Sequence, residues 1–259
     1  MTLDHKELLD KSPLAIVVSD SQERITWCNQ ALLDALKMEE SEVVGQLYPA
    51  LPIEAIDKDA HLVQLFTEDC KEEVRFHYWQ NELSTPPGSR VHYFTRQRAS
   101  NKKFSLAANK LDKGQLPKRA NWVDFLNYEV SRSRRYNNPL SILKLHLLVL
   151  EKPDNVAEET LHQTIKDTLM DELRWADMIG HTDHGTYLLV LPETPLDALI
   201  ALENKLNSAL QKKIEFIDEK IAYHLVFGQA SWEKHDDSQI LLKRARDNLV
   251  SKLESLLAR

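Results

Sequence analysis

Hydrophobic and polar positions follow two different rhythms along the chain. Ala15-Ile16-Val17-Val18-Ser19 and Ile25-Thr26-Trp27-Cys28-Asn29 are β-rich runs on either side of Asp20-Ser21-Gln22-Glu23-Arg24, which predicts a hairpin. Asn29 is a competent N-cap, and Ala31, Leu32, Leu33, Ala35 and Leu36 make a helical apolar stripe behind it. Val74, Phe76 and Tyr78 alternate with Arg75, His77 and Trp79, and the alternation resumes over Arg90 to Arg96 after Pro86-Pro87-Gly88. A further run, Phe104 to Ala108, is expected to close this sheet.

Beyond Leu111-Asp112-Lys113-Gly114 the periods lengthen. Asn121 followed by Asp124 predicts a helix start, with Trp122, Phe125, Leu126 and Val130 on one face. Ser141 to Leu150 reads as a buried strand and Ala157 to Leu173 as a helix. Met178 to Gly180 and Tyr187 to Leu191 flank the turn-rich Thr182-Asp183-His184-Gly185-Thr186, a second hairpin. Helices over about 196–211 and 239–257 enclose a strand at Ala222 to Gly228. Helices alternating with strands predict an α/β domain, so the whole chain is expected to be α/β (α+β), with an antiparallel sheet first and a helix-flanked central sheet second.

Composition narrows the function. With 259 residues the chain holds two modest domains, expected at 1–112 and 113–259. The net charge of -7 argues against a nucleic-acid binder, which needs a dense basic face. Leu140 to Leu150 is the most apolar stretch, yet Lys144 and His146 interrupt it and it falls far short of the ~20 residues that span a bilayer. The N-terminus lacks the pattern of a signal peptide, so the expected location is cytoplasmic. Two cysteines, Cys28 and Cys70, are too few for a disulfide framework or a thiolate zinc site. Six glycines, none closely spaced, exclude a P-loop or a G-x-G-x-x-G loop.

The first half resembles a PAS domain. Val17-Val18-Ser19-Asp20, Arg24-Ile25-Thr26-Trp27 and Asn29, followed by Glu40-Ser41-Glu42-Val43-Val44-Gly45, carry the resemblance over about residues 5–110. It departs at Gln22, where the family often has a turn glycine. The resemblance implies a sensory or dimerising module; no flavin-type cysteine context or haem-ligand motif is present, and no cofactor is expected. Trp27 and Cys28 read as packing residues.

The second half looks like a GGDEF domain, the diguanylate cyclase family that condenses two GTP into cyclic di-GMP. Leu116-Pro117-Lys118-Arg119 resembles its entry motif and Arg132-Ser133-Arg134-Arg135-Tyr136 its first helix ending. Arg174-Trp175-Ala176-Asp177, the hairpin, and Leu188-Leu189-Val190-Leu191-Pro192 carry its most recognisable spacing. Phe227-Gly228 and Leu241-Leu242-Lys243-Arg244-Ala245 fit its last strand and helix. The signature positions, however, hold Asp183, His184, Gly185, Thr186 and Tyr187, so its acids are missing. The metal-holding aspartate corresponds to His146 and the next inward acid to Leu148. Phosphoryl transfer of this kind relies on carboxylates that position Mg²⁺, and an imidazole is a poor substitute. Neither a metal cage nor catalytic residues are therefore expected. Glu159 falls near the family's guanine-binding acid.

By the same resemblance, Arg174 and Asp177 stand where the family has its Arg-x-x-Asp product-binding inhibitory site, and Lys205 takes the place of a further arginine of that site. An Arg fork reads guanine O6 and N7, and a carboxylate accepts from guanine N–H groups; the alternative is an Arg–Asp pair that only ties a helix end to a strand. Arg132, Arg134 and Arg135 read as cations at a helix C-terminus rather than a phosphate site. His181, Asp183, His184 and His146 read as turn and strand residues rather than a transition-metal cluster. Two functions stay open: a catalytically inactive PAS–GGDEF signalling protein that binds cyclic di-GMP at Arg174, Asp177 and Lys205, and a protein-interaction or homodimerisation scaffold without nucleotide. A weak cyclase is the least supported.

Overall fold

A computed structural model describes residues 5–57, 61–66, 74–97, 122–151, 153, 156–181 and 185–258. The first half forms β1 (Ala15–Ser19), β2 (Ile25–Cys28), β3 (Ile53–Asp57), β4 (Leu62–Leu65), β5 (Val74–Glu82) and β6 (Arg90–Arg96), in one antiparallel sheet of order β2-β1-β6-β5-β4-β3. Among the described residues it is accompanied by short α-helices, α1 (His5–Asp10), α2 (Gln30–Leu36) and α3 (Glu40–Val43), and by a 3-10 turn at Tyr48–Ala50. The predicted hairpin pairs Val17 with Cys28. Asn29 caps α2 by accepting from Leu32 N, and its amide also donates to Leu14 O and Leu9 O, fixing strand, turn and helix start together.

Strands β3 and β4 were not expected from the sequence. Their pattern is masked because both faces of β3 are covered: Ala55 faces the first-half core, while Glu54 and Ile56 face the second half. The expected strand at Phe104 to Ala108, the cap at Asn121, the entry motif at 116–119 and the domain boundary near 112 lie outside the described residues.

The second half runs α4 (Trp122–Tyr136), β7 (Leu140–Glu151), α5 (Glu158–Glu172), β8 (Met178–His181), β9 (Thr186–Pro192), α6 (Leu196–Ile217), β10 (Ala222–Ser231) and α7 (Ser238–Leu257). Its sheet is also antiparallel, in the order β10-β7-β9-β8. Helix α6 extends to Ile217, past the expected end near 211, because Ile214 continues the buried stripe of Leu199, Leu206 and Leu210. Alternating side chains of the central strand β7 serve two cores. Leu143, Leu145 and Leu147 pack beneath α5 and α6, whereas Leu140 and Ile142 pack with α4 and α7. Gly228 lets α7 lie directly on β10: a Cβ there would stand 2.4 Å from Ala245 O and from Leu249 Cβ.

The two halves share one buried interface. Ile56 and Phe66 join the cluster around Trp122, and Leu47 joins Val226, Leu249 and Leu253. Trp122 Nε1 donates to Ala55 O at 2.8 Å. Burying an indole requires such an acceptor, so the contact sets orientation as well as area. Arg24 reaches Glu254 on α7 with both terminal nitrogens, at 3.3 and 3.2 Å. Among the described residues no helix is long and apolar enough to cross a membrane.

Candidate functional site

His146 on β7 and Thr186 on β9 are register partners, so the fold brings together the two positions where the resemblance would place metal-holding and catalytic acids. They form a hydrogen-bonded pair instead, with His146 Nδ1 2.7 Å from Thr186 Oγ1. The imidazole is fully buried, and its Nε2 lies 2.8 Å from Glu23 Oε2, a close contact that lacks good hydrogen-bond alignment. Glu23 comes from the β1–β2 turn of the first half and also lies 3.7 Å from Arg90. Leu148, one step further along the same face, is apolar and buried.

Lys144, one step the other way, enters a second buried contact between the halves. Its Nζ meets Glu54 Oε1 at 2.5 Å, and Arg246 of α7 approaches the same oxygen at 3.7 Å. Burial pushes the Lys144 ammonium below its ordinary pKa despite the attraction of Glu54, with Arg246 adding to the effect. Burial likewise lowers Arg246. The residues on this face do not fit a divalent cation, because a lysine, an arginine and a histidine occupy it while each incoming carboxylate is already engaged by one of them. Among the described residues there is no group of three or more His, Cys, Asp or Glu able to hold a metal; Asp183 and His184 lie outside them.

Gly185 closes the hairpin with φ +72°, and a Cβ there would stand 3.0 Å from Leu147 O. The positive φ and the close approach of Gly185 to β7 both favour a residue without a Cβ at this position. Tyr187, next along, is buried; its hydroxyl donates to His162 O and lies 3.1 Å from His162 Nδ1. Burial, and secondarily the charge of Glu159, push the Tyr187 phenol far above its usual pKa, so it stays protonated.

His162 divides two spaces. On one side a small cavity of about 130 Å³ between the halves is lined by Glu23, Arg90, Glu158 and Gly185. On the other an open groove of about 1000 Å³ runs between α5 and the turn before β8, lined by Glu159, Lys166, Arg174, Trp175, Asp177 and Tyr187 among others. The structure thus places Arg174 and Asp177 together on the groove. Asp177 Oδ2 accepts from Arg174 N at 2.9 Å, its Oδ1 accepts from Arg174 Nη2 at 3.2 Å, and Nη2 also donates to Thr194 Oγ1 at 2.7 Å. The carboxylate is 2% exposed and the arginine side chain 57%. Lys205 is not among the groove residues; it pairs with Glu172 at 2.9 Å and donates to Glu172 O at the end of α5.

Arg132 pairs with Glu129 within α4 and with Glu193, and Arg134 donates to Asp236 O; the last two contacts tie α4 to neighbouring loops. Cys28 is buried in the first-half core, and its thiol pKa is pushed up to about 11 by burial and then by the charges of Glu40 and Asp10. Cys70 lies outside the described residues. Sequence reasoning missed Glu23, Glu54, Arg246, Lys166 and Trp175. Only Lys144 left a signal, as a charge inside an otherwise apolar strand.

Residues 4–68 match the family model described as a PAS domain. No curated protein matches the chain. Among solved structures, the chain is similar over 52% of its length to the GGDEF domain of DgcB from Caulobacter crescentus in complex with c-di-GMP, at 8% identity and TM-score 0.42, with 83% of that chain covered. It is similar over the same share to the GGDEF domain of TpbB (YfiN) from Pseudomonas aeruginosa, at 14% identity and TM-score 0.43, with 82% of that chain covered. The PAS domain of nitrogen regulation protein NR(II) from Vibrio parahaemolyticus is similar over 37% of this chain and 100% of that one, at 12% identity and TM-score 0.30.

Proposed function

We propose that this protein is a catalytically inactive PAS–GGDEF signalling protein whose second half binds cyclic di-GMP through Arg174 and Asp177. The observation that carries the inactive reading is the His146–Thr186 pair at 2.7 Å. A chemistry that needs two metal-positioning carboxylates meets an imidazole and a hydroxyl there, with a lysine one step away on the same face. Among the described residues, the carboxylates that reach this face, Glu23 and Glu54, come from the other half and lie against cations. The groove supports the receptor reading because it sets the Arg174 guanidinium at an accessible wall, with Lys166 of α5 also lining it. Lys205 acts at a distance in this reading, by holding the end of α5 through Glu172.

A second reading, an interaction scaffold without nucleotide, is favoured by one observation: the Arg174 fork is already engaged by Asp177 and Thr194. Calorimetric titration of the full chain with cyclic di-GMP, and separately with GTP, discriminates the two. Saturable heat with cyclic di-GMP that is lost in Arg174→Ala supports the receptor; no heat with either nucleotide leaves the scaffold.

A further inference from the structure

Trp175 is the most exposed large hydrophobic residue among those described, at 93%, and it lines the groove. The same chain buries Trp122 and gives its indole N–H an acceptor, so a fully solvated indole is a departure that calls for a physical role. The position is also fixed. Trp175 and Ala176 are the central residues of a turn closed twice, by Asp177 N donating to Arg174 O at 2.9 Å and by Arg174 N donating to the Asp177 carboxylate at 2.9 Å. A large π-face is therefore carried at the tip of a stiff turn, with little backbone entropy left to lose on binding.

Two cations accompany it in the groove, Arg174 from the same turn and Lys166 from α5, while Gln163 and Glu159 supply acceptors. An aromatic platform beside cations, with acceptors for ring N–H groups, fits a planar heteroaromatic base that carries phosphate. We propose that Trp175 is the base-stacking platform of this groove and that its ligand is a guanine nucleotide held by stacking together with the charges of Lys166 and Arg174. This rests on the groove being the nucleotide site, and adds to it a residue whose contribution is separable from that of Arg174.

The test is titration of the full chain with cyclic di-GMP, with GMP as a single-base control, followed by calorimetry and by the fluorescence difference between wild type and Trp175→Phe. Because Trp175 is solvated, its substitution leaves the fold intact, which circular dichroism verifies. Trp175→Ala weakens binding roughly 5- to 150-fold, the scale of one base–aromatic stack, whereas Trp175→Phe stays within about threefold of wild type. Quenching on saturation is carried by Trp175 and disappears in Trp175→Phe. Wild-type affinity in Trp175→Ala alongside lost binding in Arg174→Ala overturns the stacking role and leaves the Arg174 site standing. Binding lost in Trp175→Ala but unchanged in Arg174→Ala keeps the platform and removes the Arg174 reading. A wild-type chain that binds neither nucleotide overturns both.

Discussion

Glu54 and Lys144, ninety positions apart, meet at 2.5 Å with side chains 1% and 3% exposed, so a charge from each half is buried at the centre of the interface. Arg246 faces the same carboxylate. Each cation is burdened by desolvation; Glu54 is the leading anion that offsets this for both, with Asp247 also acting on Arg246.

Replacing Glu54 with Ala strands two buried cations and is expected to destabilise the chain by about 3–5 kcal/mol. Removing both partners, as in Glu54→Leu with Lys144→Met, costs less than Glu54→Ala alone, because one buried cation, Arg246, is stranded rather than two. Urea unfolding of the three proteins checks the order; equal losses in the single and double variants contradict it.

Glu23 adopts φ +61°, a conformation that disfavours any side chain with a Cβ, and still places its carboxylate against His146 and Arg90. Glu23→Gly and Glu23→Ala lose the same contacts, but only glycine relieves the backbone. Glu23→Gly is therefore expected to be more stable than Glu23→Ala by about 1 kcal/mol. Equal unfolding midpoints, or a more stable alanine variant, would show that the turn is not strained.

His92 gives a pH dependence of definite sign. It is buried between Ser19 Oγ and Tyr78 OH, each 3.1 Å from a ring nitrogen, and stacks on Tyr48 at 4.2 Å between centroids. Burial, with a smaller contribution from Arg90, lowers its pKa to about 3, so the folded ring stays neutral while the unfolded ring protonates near 6.5. The unfolded chain then binds the extra proton between these values. Stability from this group is complete above about pH 6.5 and falls with acidification toward pH 3, at up to about 1.4 kcal/mol per pH unit. His92→Gln should flatten the stability profile in that window relative to wild type; an unchanged slope would mean that His92 is charged in the folded protein.

Arg174→Ala should weaken cyclic di-GMP binding by roughly 1.5–3 kcal/mol, the scale of hydrogen bonds to a charged group. Asp177→Asn should cost less, because the amide oxygen still accepts from Arg174 N. Lys205→Ala should weaken binding less than Arg174→Ala, because Lys205 lies outside the groove and acts only by holding the end of α5 through Glu172. Calorimetry on the three variants checks the ranking; a stronger effect of Asp177→Asn than of Arg174→Ala would reverse the assignment of the direct contact.

The regular elements were legible where one face meets a core and the other meets water, as in the β1–β2 hairpin with its Asn29 cap and the buried stripe of α6. Strand β3 was not, because Glu54 sits at a position that alternation marks as solvent-facing and the second half covers it. The non-acidic residues His146 and Thr186 could be read in the sequence, yet their mutual hydrogen bond depends on strand register, and the arrival of Glu23 depends on docking between halves. Trp175 carried no periodic signal: a single aromatic in a turn is identified as exposed only when its neighbours are placed.

The claim that this second half does no cyclase chemistry is tested most directly by incubating the purified full chain with GTP and either Mg²⁺ or Mn²⁺ and quantifying cyclic di-GMP over time. With His146 and Thr186 bonded to each other where carboxylates would be required, the account predicts no product above a protein-free control. Steady formation of cyclic di-GMP in proportion to protein, abolished by His146→Ala, would contradict it.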